Sequence, residues 1–276
     1  MEKTVKQRAY AKLNLTLGVT GKRADGYHTL DSLMVTTSLF DEVTVTRDRE
    51  IIVTATGMLL PYRNTLRKAA ECYRALTGRG ARIHVYKHIP AEAGLGGGSA
   101  DAAAVLLAMQ RLYGEAEPMQ LYAMALKVGA DVPFCLKGGL CRARGIGEVL
   151  DPLPMGKPLH LVIAKPERGV STKALFTALK LPQPMPETAK AIASLAAGDA
   201  KALSPLLFNA LEESAVSLVP EIGELIDKLK DLGALGARMT GSGSAVFGIF
   251  ADADGAKAAA EAMKAVCPFV EAAQTV

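Results

Sequence analysis

The sequence predicts an α+β fold in two domains, on three observations. Strand-like and helix-like stretches mix up to residue 152. There Pro152, Pro154, Pro158 and Pro166 surround a short apolar run, LHLVIA, and mark a boundary near 152–158. Beyond it the order strand, helices, strand, turn, strand, helix, strand describes a sheet with helices on one face. The expected domains are 1–155 and 156–276, and 276 residues suit one large domain or two modest ones.

YAKLNLTLGV alternates strictly, with Leu13, Leu15, Leu17 and Val19 on one face and Lys12, Asn14 and Thr16 on the other, which predicts a strand. DEVTVTRD and ARIHVYKHI also read as strands. Asn64 suits the N-cap of a helix whose Leu66, Ala69, Ala70, Tyr73 and Leu76 face inward and which Gly78 closes. A second helix starts at Pro118 and stops at Gly129. After the boundary, LHLVIAK is a predicted strand and STKALFTAL a predicted helix. Helices over about 200–218 and 221–232 follow. The tail reads ARMT as strand, GSGS as turn, AVFGIF as strand, 253–265 as helix, and a last strand.

Half of the residues are hydrophobic, enough for a sizeable core. The formal net charge of +4 is small and does not by itself argue for nucleic acid. No apolar run approaches the roughly 20 residues that cross a bilayer, and MEKTVKQRAY lacks a signal-peptide core. Cys72, Cys135, Cys141 and Cys267 show no C-x-x-C spacing, which suits reduced thiols in a cytoplasm.

The most informative stretch is PAEAGLGGGSADAA, at 90–103. Glycines between a strand and a helix let backbone N–H groups converge, and the helix N-terminus adds partial positive charge. That combination makes a phosphate cradle. The same glycines also suit a plain tight turn. The spacing is neither a P-loop, since no lysine sits inside it, nor a dinucleotide fingerprint. Ser99 and Asp101 stand where an N-cap and a first-turn acceptor belong, so the helix is expected to begin just after the glycines. Its opening AAAVLLAM is apolar all round, as a buried helix requires.

Those residues resemble the ATP-binding glycine loop of the GHMP kinase superfamily, small-molecule kinases that include galactokinase, homoserine kinase and mevalonate kinase. AYAKLNLTLGVTGKRADGYHTLDSLM and RMTGSGSAVFGIF resemble its first and third motifs. RADGYH together with GADVPF, at 129–134, is similar to one branch whose substrate carries a cytidine diphosphate moiety. The motifs fall in the family's order across nearly the whole chain. The resemblance implies an N-terminal domain like ribosomal protein S5 domain 2 and a C-terminal ferredoxin-like domain.

It also implies a chemistry: transfer of the γ-phosphoryl group of ATP, accompanied by Mg²⁺, onto a hydroxyl of a small molecule. The nucleotide-binding residues implied are Pro90, Ala91, Glu92, Ala93, Gly94, Leu95, Gly96, Gly97, Gly98, Ser99 and Ala100. Lys12, otherwise an ordinary exposed strand lysine, matches the family's active-site lysine, with Asn14 roughly 7 Å further along the same face. Asp131, otherwise an ordinary N-cap, matches the catalytic aspartate. Tyr27 and His28, after an Asp-Gly turn, match the pair that holds cytosine. Thr172 and Phe176 match its C-terminal partners, although Phe176 at helical spacing equally suits a core. The GSGS turn and RGIGE, at 144–148, match loops bordering the phosphates, with the role of Arg144 open. A metal ligand from the protein is not assigned, though Ser99 is one possibility. The partner is a small molecule, with no nucleic acid and no membrane.

Other readings differ in identifiable ways. Another GHMP kinase would share the glycine loop but not RADGYH and GADVPF together. A non-catalytic ligand sensor would not need both Lys12 and Asp131. A nucleic-acid binder would need a concentrated basic face, whereas GKR and RDR are short and lie among acids.

Overall fold

The computed structural model describes residues 4–179 and 181–276. In chain order the elements begin with β1 (Thr4–Lys22), β2 (His28–Asp48), β3 (Ile51–Thr56), α1 (Thr65–Thr77), β4 (Gly80–Tyr86), α2 (Gly97–Tyr113), α3 (Pro118–Val128) and α4 (Val132–Lys137). Then come β5 (Leu140–Gly145), β6 (Val149–Leu153), β7 (His160–Lys165), α5 (Thr172–Ala178), α6 (Thr188–Ala197) and α7 (Ala200–Leu203). After a 3-10 turn at Ser204–Leu206, the chain closes with β8 (Phe208–Asn209), α8 (Glu212–Leu218), α9 (Glu221–Asp231), β9 (Gly236–Met239), β10 (Val246–Phe250), α10 (Ala253–Met263) and β11 (Phe269–Gln274).

Two compact units share the chain. The first contains the chain up to Ala11, Leu39–Ile89 and Gly96–Gly138; the second contains Lys12–Ser38, Pro90–Leu95 and Gly139–Val276. In the first, the end of β2 pairs antiparallel with β4 over Glu42–Asp48, and β3 runs parallel to β4. Val43, Val45, Ile83 and Val85 point into a core that α1, α2 and α3 complete. The Asn64 side chain accepts the Arg67 N–H at 2.9 Å and starts α1. Gly78, at φ 73°, ends it in the left-handed region. Leu66, Ala69, Ala70 and Tyr73 are buried as expected, but Leu76 lies beyond the covered part of the helix and is exposed. α2 is buried along most of its length, and its run of alanines lets α1 and α4 approach closely. A capping box between Glu117 and Gln120 opens α3 at Pro118.

In the second unit β7, β9, β10 and β11 form an antiparallel sheet in the order β11-β7-β10-β9. With α9 and α10 packed on it, this is the βαββαβ topology of a ferredoxin-like fold. The expected helix over about 200–218 is interrupted. Pro205 lacks the N–H a helix needs, and Phe208–Asn209 instead pairs parallel with β1 at Thr16 and Leu17. α6 lies in a stretch the sequence reading left unassigned. Among the described residues the four cysteines are free thiols, and no helix is long and apolar enough to cross a membrane.

Candidate active site

The polar face expected on β1 is buried rather than exposed: Lys12 is 4% and Asn14 5% accessible. In the second unit, the Lys12 ammonium donates to Asn14 Oδ1 at 2.6 Å, and Asn14 Nδ2 donates to Ser32 Oγ at 2.7 Å. Ser32 Oγ in turn donates to the Thr16 carbonyl at 2.6 Å. The Asn14 backbone N–H donates to Thr240 Oγ1 at 2.9 Å. This chain of donors fixes where the ammonium points. Ser32 and Thr240 went unassigned in the sequence because nothing local distinguishes them from other strand residues.

The first half of the glycine loop, Pro90–Leu95, is laced onto the same place. The Lys12 N–H donates to the Leu95 carbonyl at 2.9 Å. Ser244 and Ala245 donate their N–H groups to the carbonyls of Glu92 and Ala93, at 3.1 and 3.2 Å. Gly94, at φ 70°, packs so closely that a Cβ there would sit 2.2 Å from the Thr240 carbonyl. A Cβ on Gly241 would lie 3.1 Å from Lys12 Nζ, so the predicted GSGS turn does border the lysine.

From Gly96 the loop belongs to the first unit. Gly96, at φ 69°, is the N-cap, so α2 begins within the glycines rather than after them, and Ser99 is its third residue. The first amides of a helix have no intrahelical acceptor and face forward, where anions bind. Close packing again demands glycine: a Cβ at Gly97 would lie 2.9 Å from Ile89 Cγ2, and one at Gly98 3.2 Å from Thr65 Oγ1. Beside Thr65 lies a cavity of about 820 Å³, lined by Pro61, Tyr62, Asn64, Lys68 and Val128 among others. In the same unit Asp131 stands at the N-cap position of α4, which packs against α2, although its side chain makes no capping bond.

Asp101 is not a first-turn acceptor. It is buried in the second turn of α2, where its Oδ2 takes a hydrogen bond from Lys87 Nζ at 2.7 Å. Lys87 also binds Asp41. Burial, and then the charge of Asp41, push the Asp101 carboxyl up to about 7 against the pull of Lys87. Burial draws Lys87 down, but the two carboxylates outweigh it and hold it above its ordinary value. An acid whose folded pKa is raised keeps its proton longer folded than unfolded, so stability falls as pH climbs from near 4 to about 7. Asp101→Asn removes that titration while keeping an acceptor for Lys87. Between about pH 5 and pH 8 the wild-type Tm is therefore expected to drop relative to that of the variant. Parallel curves would show that Asp101 ionises without penalty.

At the other predicted subsite, His28 stacks on Phe176 with ring centroids 5.0 Å apart, and Thr172 Oγ1 meets Ser242 Oγ at 2.6 Å. Tyr27 extends outward, 60% accessible. Phe176 thus meets His28 rather than Tyr27. Partial burial and then Lys22 lower the His28 pKa, which favours the neutral imidazole. In the RGIGE loop Arg144 pairs with Asp151 at 2.7 Å, and Glu148 closes the turn by accepting the Ile146 N–H at 2.6 Å. Among the described residues no group of three or more His, Cys, Asp or Glu is arranged to hold a metal ion.

Two family models match the chain: GHMP kinases N terminal domain over residues 64–139 and GHMP kinases C terminal over 191–268. The chain belongs to the GHMP kinases. Among curated relatives, the 4-diphosphocytidyl-2-C-methyl-D-erythritol kinase of Desulfitobacterium hafniense is 43% identical, over 89% of this chain and 87% of that protein. The protein of the same name from Pelotomaculum thermopropionicum is 44% identical over 90% of each. Among solved structures, a 4-(cytidine 5'-diphospho)-2C-methyl-D-erythritol kinase superposes with a TM-score of 0.86 at 38% identity, covering 98% of this chain and 99% of that one. A homoserine kinase from Cytophaga hutchinsonii shares the fold, with a TM-score of 0.78 at 22% identity. The expected α+β GHMP kinase fold is therefore borne out.

Proposed function

We propose that this GHMP kinase transfers the γ-phosphoryl group of ATP to the 2-hydroxyl of 4-(cytidine 5'-diphospho)-2-C-methyl-D-erythritol, in the non-mevalonate route to isoprenoids. The observation that carries this reading is identity of 43–44% over about nine-tenths of the chain to relatives named for that activity.

Phosphoryl transfer depends on positioning and on neutralising charge spread over phosphoryl oxygens and nucleophile. The amides that open α2 at Gly97 and Gly98, not those of Ser99 and Ala100, which donate to the Gly96 carbonyl, bind the phosphates together with the turn before them. The cavity beside Thr65 takes the nucleoside end of ATP. Lys12 stabilises negative charge as it develops, and Asn14, bonded to it, holds the substrate hydroxyl. Asp131 orients that hydroxyl and takes its proton. An alcohol is a far weaker acid than a carboxylic acid, so the proton moves late, as the new P–O bond forms and the bond to the leaving ADP oxygen breaks. Tyr27, His28, Thr172 and Phe176 hold the cytidine. Mg²⁺ enters as the counter-ion of ATP. The enzyme works in the cytoplasm on a small molecule, with neither nucleic acid nor membrane as partner.

The decisive assay measures ATP consumption with the cytidylyl-methylerythritol substrate against homoserine, mevalonate and galactose. Turnover with one of the latter and none with the former sinks the assignment. Stacking of a base on an aromatic ring is worth ~1–3 kcal/mol, so Tyr27→Ala is expected to raise KM for the cytidylyl substrate by about one to two decades. KM for ATP should hardly move. An equal rise in both would mean that Tyr27 supports the fold rather than the base.

A further inference from the structure

Three residues distant in sequence converge behind the glycine turn. Asp41 lies on β2, Lys87 follows β4 directly, and Asp101 sits in the second turn of α2. Asp41 Oδ1 accepts the backbone N–H groups of His88 and Ile89, at 2.5 and 2.8 Å, while its Oδ2 takes the Lys87 ammonium. The same ammonium reaches Asp101 Oδ2 at 2.7 Å. All three side chains are buried. The links therefore run from the chain entering the loop, through one carboxylate and one ammonium, to the helix leaving it. Gly97 lies between: a Cβ there would sit 2.9 Å from Ile89 Cγ2 and 3.6 Å from Lys87 Nζ.

Two carboxylates and one ammonium are an expensive way to fill a protein interior, because desolvation offsets most of their attraction. Apolar residues of similar size would hold β4 to α2 at least as firmly. Asp101 Oδ1, moreover, is buried with no hydrogen-bond partner in the structure. What the ions add over apolar packing is direction: each link ends on a particular atom and fixes a separation.

We propose that the Asp41–Lys87–Asp101 clamp positions the phosphate-binding turn, tying the backbone at His88–Ile89 to α2 so that the amides opening this helix are held ready for ATP. The proposal rests on the ATP-dependent kinase reading. The three are positioning residues, since they act through the backbone of the loop. A misplacement of about 1 Å is enough to cost a large factor in such a site.

Asp101→Ala cuts the link to α2 while leaving the Lys87–Asp41 pair in place; Asp101→Asn restores an acceptor. Steady-state kinetics with both substrates, together with calorimetric titration of MgATP, separate the outcomes. For Asp101→Ala the KM and Kd of ATP are expected to rise about tenfold or more, with KM for the acceptor within about twofold of wild type. Asp101→Asn should return ATP affinity to within about threefold of wild type. A role in stability alone would lower the Tm of Asp101→Ala without separating the two substrates. Should that variant fail to fold, Asp41→Asn carries the same test, because it keeps Oδ1 for the two amides and removes the charge facing Lys87.

Unchanged ATP affinity in Asp101→Ala, a parallel rise in both KM values, or no recovery in Asp101→Asn would each overturn the clamp. A wild-type protein that binds no MgATP would remove the kinase reading as well, which distinguishes the two failures.

Discussion

Lys12→Met is expected to lower kcat by about a thousandfold, the upper range for loss of one preorganised group that meets charge in a transition state. Methionine keeps most of the lysine's length and apolar stem, so the change removes the ammonium and little else. Removing it also strips the Asn14 carbonyl of its 2.6 Å donor in a buried place, at a stability cost of about 1–3 kcal/mol. Thermal melts must therefore accompany the kinetics, at a temperature where the variant is fully folded. Single-turnover measurement with saturating ATP then isolates the chemical step from product release. A kcat within about tenfold of wild type would assign Lys12 to the hydrogen-bond network alone.

Asp131→Asn is expected to lose a factor of roughly 10²–10⁴ in kcat while KM for each substrate stays within about threefold. The substitution keeps shape and hydrogen-bonding capacity but removes the ability to accept the hydroxyl proton. The substitution is nearly isosteric, and the start of α4 is also set by Pro133 and by packing on α2. A near-wild-type kcat would remove Asp131 from the mechanism. A large rise in KM with kcat intact would recast it as a binding group.

Where local chemistry decides the structure, the sequence is easily read. Asn64 and Gly78 bracket α1, Pro118 and Gly129 bracket α3, and the alternation around Leu13 and Leu15 marks β1. The glycines ahead of α2 were legible as a tight turn into a helix, a geometry that a plain turn and a phosphate cradle share. Long-range pairing was not legible. β8 is two residues long and exists only because β1 lies alongside it, so the stretch around it reads as helix. Burial of Lys12 and Asn14 follows from the Thr240–Gly241 turn, more than 200 positions away in the chain. Their strict alternation with leucines therefore gave the strand but the wrong environment. The Asp41–Lys87–Asp101 clamp was not legible either: Asp101 reads locally as a first-turn acceptor, and nothing in the sequence joins it to Asp41 and Lys87. The roles of Lys12, Asp131 and the cytidine-binding residues come from the resemblance, since spacing alone does not separate them from ordinary strand, cap and core residues.

The Thr240–Gly241 turn also bears on how the protein comes into being. A ribosome makes Lys12, Asn14 and Pro90–Leu95 first, yet groups that seat them arrive only with the stretch from Thr240 to Ala245. Until then the Lys12 ammonium stays hydrated, and closing so long a loop is slow. The nascent chain is thus inert until the segment around Thr240 docks, and a chain that stops between the glycine motif at 90–103 and that turn would carry the motif without an assembled lysine pocket.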